Sequence, residues 1–144
     1  MLANLGLGTG VISVTVLIHT VGLIILTRLM TAIHHGFRLH SHDLGKTISM
    51  VSTVLGLFFV HTIEIWVWAF VYASLGTFAN LEDALYFSTA TFSTVGYGDM
   101  VLRSDWRLLG ALEGVNGFLL IGWSTAYLVA ASTRHGPFRI GEHF

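Results

Sequence analysis

The side chains able to do chemistry are few and unevenly placed. Among 144 residues there are eight histidines and eight acidic residues, and no cysteine. Without thiols there is no disulfide, no thiolate zinc site and no cysteine nucleophile. His34, His35, His40 and His42 crowd into one short stretch. Imidazole titrates near neutrality and ligates metals, so this stretch has three readings: a pH sensor, a metal site, or a solvated basic loop. His61 and Glu64 are three residues apart and share one face of a helix. They read as a partly solvated polar pair near the outer interface or as a proton-sensitive link to Glu113. Glu113 itself is a lone carboxylate in a long apolar run. Finally, the stretch Thr94-Val95-Gly96-Tyr97-Gly98-Asp99 sets two glycines at alternate positions. Glycine enters left-handed backbone conformations at little cost, so this stretch can hold a shape closed to most sequences.

The elements that position these residues follow from composition. The chain is 53% hydrophobic and 10% charged, with mean hydropathy +0.73. Soluble domains carry about 25% charged residues, so an ordinary soluble enzyme is excluded. Disorder is excluded too, since it needs low hydrophobicity and high net charge. A net charge of −1 leaves no basic footprint for nucleic acid. A crossing helix needs about 20 apolar residues, and three stretches qualify: about 11–33, 47–75 and 107–133. The first reads as a retained membrane helix, because Met1 to Gly10 lack the charged flank of a signal peptide. The piece from Leu81 to Val95 is too short to cross and return, and it reads as a re-entrant segment sheltered by protein. Arg28, Arg38, Lys46, Arg134 and Arg139 outweigh Arg103 and Arg107, which predicts a cytoplasmic first connection and tail. The N-terminus and residues 76–107 then face outward. Trp66, Trp68 and Tyr72 are expected in an outer aromatic belt, with Trp106 at the matching end of the third span. Pro137 is expected to stop the third helix.

The hexad TVGYGD at Thr94–Asp99 resembles the selectivity filter of the potassium-channel pore family. The resemblance covers 47–133, as outer helix 47–75, pore helix 81–92, filter 94–99 and inner helix 107–133. Residues 1–46 form an additional N-terminal helix and a histidine-rich loop, and 134–144 a short tail with no room for a ligand-binding domain. The resemblance implies an all-α membrane protein: three transmembrane helices, a re-entrant pore helix and an extended filter strand, assembled as a four-fold symmetric homotetramer. It implies a potassium-selective channel, not an enzyme. It implies no cofactor, with K+ as the permeant ligand. Backbone carbonyls of Thr94, Val95, Gly96 and Tyr97, with Gly98 completing the filter, would replace the hydration oxygens of K+. Asn80 is suited to cap the pore helix, with Glu82 and Asp83 in its first turn.

The resemblance also assigns supporting roles. Tyr86 and Phe87 stand where the family keeps an aromatic cuff around the filter tyrosine. Some relatives pair the filter aspartate with a pore-helix glutamate; the matching position here is Ala90, which leaves the Tyr86 hydroxyl as partner for Asp99. Where many relatives have a proline, this chain runs Met100, Val101, Leu102, Arg103. The family's hinge glycine aligns at Phe118, with Gly114, Gly117 and Gly122 nearby. Leu119, Ala126 and Ala130 are assigned to the cavity or inner gate. Glu113 has three readings: a brace behind the filter through Ser93, Thr91 or a neighbouring subunit, a pore-lining charge, or a near-interface residue that finds water. No voltage-sensor arginine pattern is present, and no motif points to a regulatory partner. Partners are further copies of the chain and the lipid of, on this reading, a bacterial inner membrane. The competing readings are a less selective cation channel, a non-conducting accessory subunit, and a metal-binding membrane protein built on the histidine cluster. Tyr97 with both glycines argues against the first, and the last leaves TVGYGD without a purpose.

Overall fold

Long apolar runs free of proline favour helix, because lipid offers the backbone no other hydrogen-bond partner. The computed structural model has α1 at Leu2–Phe37, α2 at Asp43–Ser74, α3 at Leu81–Phe92, a 3-10 turn at Ser104–Trp106 and α4 at Arg107–His135. It describes the backbone of residues 1–37 and 43–135 and the side chains of 1–32 and 45–133. Within these, Leu2–Ala32, Gly45–Ser74 and Ser104–Thr133 are long and apolar enough to cross a membrane. The fold is all-helical, and the described residues contain no β-strand. The expected strand at the filter is instead a run of turns and irregular backbone. The first helix starts well before residue 11, since nothing from Leu2 to Gly10 breaks it. The second begins before residue 47, and the fourth continues past 133 to His135.

Each long helix buries one stripe. On α1 the stripe includes Asn4, Gly8, Val11, Thr15, His19, Leu23, Leu26 and Met30, spaced three or four apart. This face lies against α2 and α4, and α3 packs into the same two helices. The stripes are more polar than the lipid-facing surface. In lipid the hydrophobic effect does not drive helices together; close packing and interhelical hydrogen bonds do. Both are present. Gly22 meets Val60 and Gly56 meets Leu26, each so close that an added Cβ would lie within 2.7 Å of the facing side chain. Asn4 Nδ2 donates to the Asp105 carbonyl at 2.8 Å, Asn116 Nδ2 donates to Thr15 Oγ1 at 2.8 Å, and the Thr27 and Tyr127 hydroxyls pair at 2.9 Å. Such bonds contribute about 0.6 kcal/mol each, so their number matters more than any one.

An aromatic core gathers where α3 sits between α2 and α4. Trp68, Tyr72, Phe87, Phe92 and Leu109 are buried there. Trp68 and Tyr72 therefore do not form an outer belt. Both are buried on the inner face of α2, and Tyr72 meets Phe78 and Phe87 edge-on at 6.2 and 5.2 Å. Trp66 points away from them, half-buried and 5.3 Å from Phe70.

Candidate functional site

The short helix α3 aims its C-terminal end at an irregular segment, Ser93–Met100. Its N-terminus is fixed by Asn80, whose Oδ1 accepts from the Asp83 N–H at 2.8 Å, and Glu82 and Asp83 occupy the first turn. Carboxylates there oppose the positive end of the helix dipole. After Phe92 the chain folds back: the Thr94 N–H donates to the Thr91 carbonyl and the Gly96 N–H to the Ala90 carbonyl, both at 3.0 Å. Then φ is positive at every second residue: +61° at Thr94, +52° at Gly96 and +75° at Gly98. Alternating handedness turns successive carbonyls to one side of the chain, which an ordinary strand cannot do. Glycine takes this at two positions without steric cost, but Thr94 holds it at about 1–2 kcal/mol. Sequence reasoning located the two glycines and missed the strain at Thr94. The Val95 and Tyr97 side chains are exposed on the single chain.

Asp99 follows the last glycine. Its Oδ2 accepts from the Tyr86 hydroxyl at 2.6 Å and its Oδ1 from the Met100 N–H at 3.0 Å. The Tyr86 hydrogen bond is the main cause that holds the Asp99 carboxyl below the usual carboxylate range, and the same bond pushes the Tyr86 phenol up. A depressed carboxyl stabilises the fold above its ordinary pKa, and this contribution is lost as pH falls through the lowered value. In Tyr86→Phe, Asp99 should protonate at a higher pH than in the wild type. NMR titration of the Asp99 carboxyl carbon measures this, and equal midpoints would remove the assigned role of Tyr86. Phe87 points the other way, into the core beside Phe78 at 5.1 Å. Adjacent residues on a helix face different directions, so a cuff made from both does not exist within one chain.

Behind α3 lies Glu113, fully buried. Tyr72 of α2 donates to Oε2 at 2.7 Å, and Ser88 of α3 donates to Oε1 at 2.6 Å. One carboxylate thus joins α2, α3 and α4. Neither Ser93 nor Thr91, the partners expected of a brace, bonds to it: Ser93 Oγ turns to the Thr89 carbonyl at 2.6 Å. Full burial also removes the pore-lining and near-interface readings. Glu64 is likewise buried, where partial solvation was expected. It accepts from His61 Nδ1 at 2.8 Å and from His19 Nδ1 at 2.9 Å, and it makes no bond to Glu113. His19 was missed because α1 also carries polar residues such as Thr9, Ser13 and Arg28 on its exposed side, which blurs the buried stripe. The signal present was the spacing of Thr15 and His19, four apart on the buried stripe.

Leu119, Ala126 and Ala130 are exposed along one face of α4, and Ala130 also borders a groove with Met30 of α1 and Met50 of α2. Gly117 does not belong to that face. Its Cα packs against the end of α3, and a Cβ would collide with the Phe92 carbonyl oxygen. The side chains of His34, His35, His40 and His42 lie outside the described residues.

A protein-family model described as an ion channel matches residues 60–134, just over half of the chain. The chain belongs to this ion-channel family. The match begins within α2 and takes in α3, the irregular segment and α4. In this ion channel α1 and the first part of α2 therefore lie outside the shared region. No curated protein and no solved structure matches the chain. Ion-channel membership together with three spanning helices makes this an integral membrane protein.

Proposed function

We propose that this ion channel conducts K+ selectively through Thr94–Gly98, in an assembly of four copies. The observation that carries the reading is the left-handed backbone at Thr94, Gly96 and Gly98, within TVGYGD and directly after a capped helix. A K+ ion sheds its water only where several oxygens converge from all sides. One chain offers one row of carbonyls, so closure needs copies around an axis. The uncovered side chains of Val95, Tyr97 and Leu119 supply surface for such copies. The C-terminal end of α3 carries about half a negative charge and favours a cation below the filter. Asp99 and Tyr86 fix the outer end of the filter, and Glu113 holds the pore helix from behind. The N-terminus then faces outward and the C-terminus the cytoplasm, in a bacterial inner membrane.

Flux from liposomes tests this. Purified protein should pass K+ far faster than Na+, and Ba2+ should block it. Equal flux of both ions would support a less selective cation channel, and no flux a non-conducting subunit; either result overturns the proposal.

A further inference from the structure

We propose that His19, His61 and Glu64 form an intramembrane binding site for a divalent transition metal of the zinc type. The site stands apart from the filter and does not depend on which ion the channel passes. Among the described residues these three make up the group whose ligand atoms converge, one from each residue, within 4.8 Å of one another. The Nδ1 atoms of His19 and His61 reach different oxygens of Glu64 at 2.9 and 2.8 Å. Tetrahedral zinc spaces its ligands about 3.3 Å apart, so small side-chain rotations admit the ion between rings and carboxylate.

The donor set selects the metal. Two imidazoles and one carboxylate suit zinc and its neighbours, whereas Mg2+ and Ca2+ require oxygen shells. Three protein ligands leave a fourth position for water. The surroundings also fit. Ligating histidines commonly bond through their second nitrogen, which fixes the ring. His61 Nε2 lies 2.9 Å from Ser124 Oγ on α4. With Nδ1 bound to metal, the His61 proton resides on Nε2 and Ser124 accepts it. A carboxylate in a membrane interior is costly unless a cation faces it, and the metal supplies that charge. The site is not sealed: His61 is 15% exposed beside a groove lined by Trp66, Phe92, Ser124 and Leu128. Bound there, the metal would fasten α1, which lies outside the shared channel region, to α2 at the level of the end of α3.

The test uses full-length protein in nanodiscs, purified without a histidine tag and stripped with a chelator. His34, His35, His40, His42, His135 and His143 are replaced by Asn to remove competing ligands. Titration with Co2+ should give the intense visible bands of tetrahedral cobalt at one ion per chain, and Zn2+ should displace them. Ser124→Ala should weaken binding about 10-fold, as loss of an outer-shell partner does. His19→Gln and Glu64→Gln should abolish it. Absence of tetrahedral binding in the loop-and-tail variant overturns the site, as does unchanged binding in His19→Gln. Should His19→Gln fail to assemble, zinc-edge X-ray absorption of the loop-and-tail variant decides. Two imidazoles and a carboxylate are expected, and a shell without imidazole overturns the proposal.

Discussion

Gly96→Ala is expected to abolish K+-selective flux. In the structure φ at Gly96 is +52°, in the left-handed region. Among the described residues beyond its two neighbours in the chain, none has an atom within 4 Å of an added Cβ, so the penalty is one of backbone. That penalty is about 1–2 kcal/mol per residue. Thr94 already bears such a cost, which shows that one left-handed non-glycine residue per chain is tolerated. A second, multiplied over four proposed copies, adds about 4–8 kcal/mol, comparable to the whole stability of a small domain. Relaxing it means rotating the Val95–Gly96 peptide, and the carbonyl row then loses its common direction. The K+-to-Na+ flux ratio in liposomes reads the outcome. A ratio unchanged from the wild type would count against a carbonyl filter at these residues.

Gly117→Ala is expected to disrupt the protein although Gly117 touches no ion. The Cβ would collide with the Phe92 carbonyl oxygen, and its carbon and Cα also lie within 2.8 Å. Backbone cannot rotate aside as a side chain can. Relief requires the end of α3 to move away from α4, which carries the Ser93–Met100 segment with it. Overpacking of this kind costs about 3 kcal/mol. Replacing a helical glycine by alanine gains at most about 1 kcal/mol of propensity, so the clash wins. Gly10→Ala is the control: its Cβ meets nothing within 4 Å, and it should be neutral or slightly stabilising. Thermal melting in detergent distinguishes the two. A Gly117→Ala protein as stable as Gly10→Ala would mean that α3 and α4 do not approach so closely.

Some elements were legible because their signal is local. Asn80 with Glu82 and Asp83 announces a helix start, and the Asn80 side chain does cap α3. Three apolar runs announce three spans, and three such helices form. Gly96 and Gly98 announce unusual backbone, and both take positive φ. The partners of the buried charges were not legible. For Glu113 the readings were Ser93, Thr91 or a neighbouring subunit, the pore, or water; it takes Tyr72 and Ser88, 41 and 25 residues away in sequence. His19 and Glu64 are 45 residues apart. A helix apolar nearly all round carries only a weak periodic mark of its inner face, so hydropathy says that it lies in lipid but hardly how it is turned.

The sequence by itself therefore determined the solvent, the helices, and where the backbone could depart from ordinary shape. These depend on composition, on capping and on glycine, each of which acts over a few residues. Only the tertiary structure decided which faces meet, that Trp68 and Tyr72 lie inside rather than at an interface, and that Gly117 is held by contact with Phe92. It also decided that Glu113 joins three helices and that Glu64 joins two. In lipid, packing and interhelical hydrogen bonds choose the rotation of each helix, and those interactions exist only once the helices are side by side.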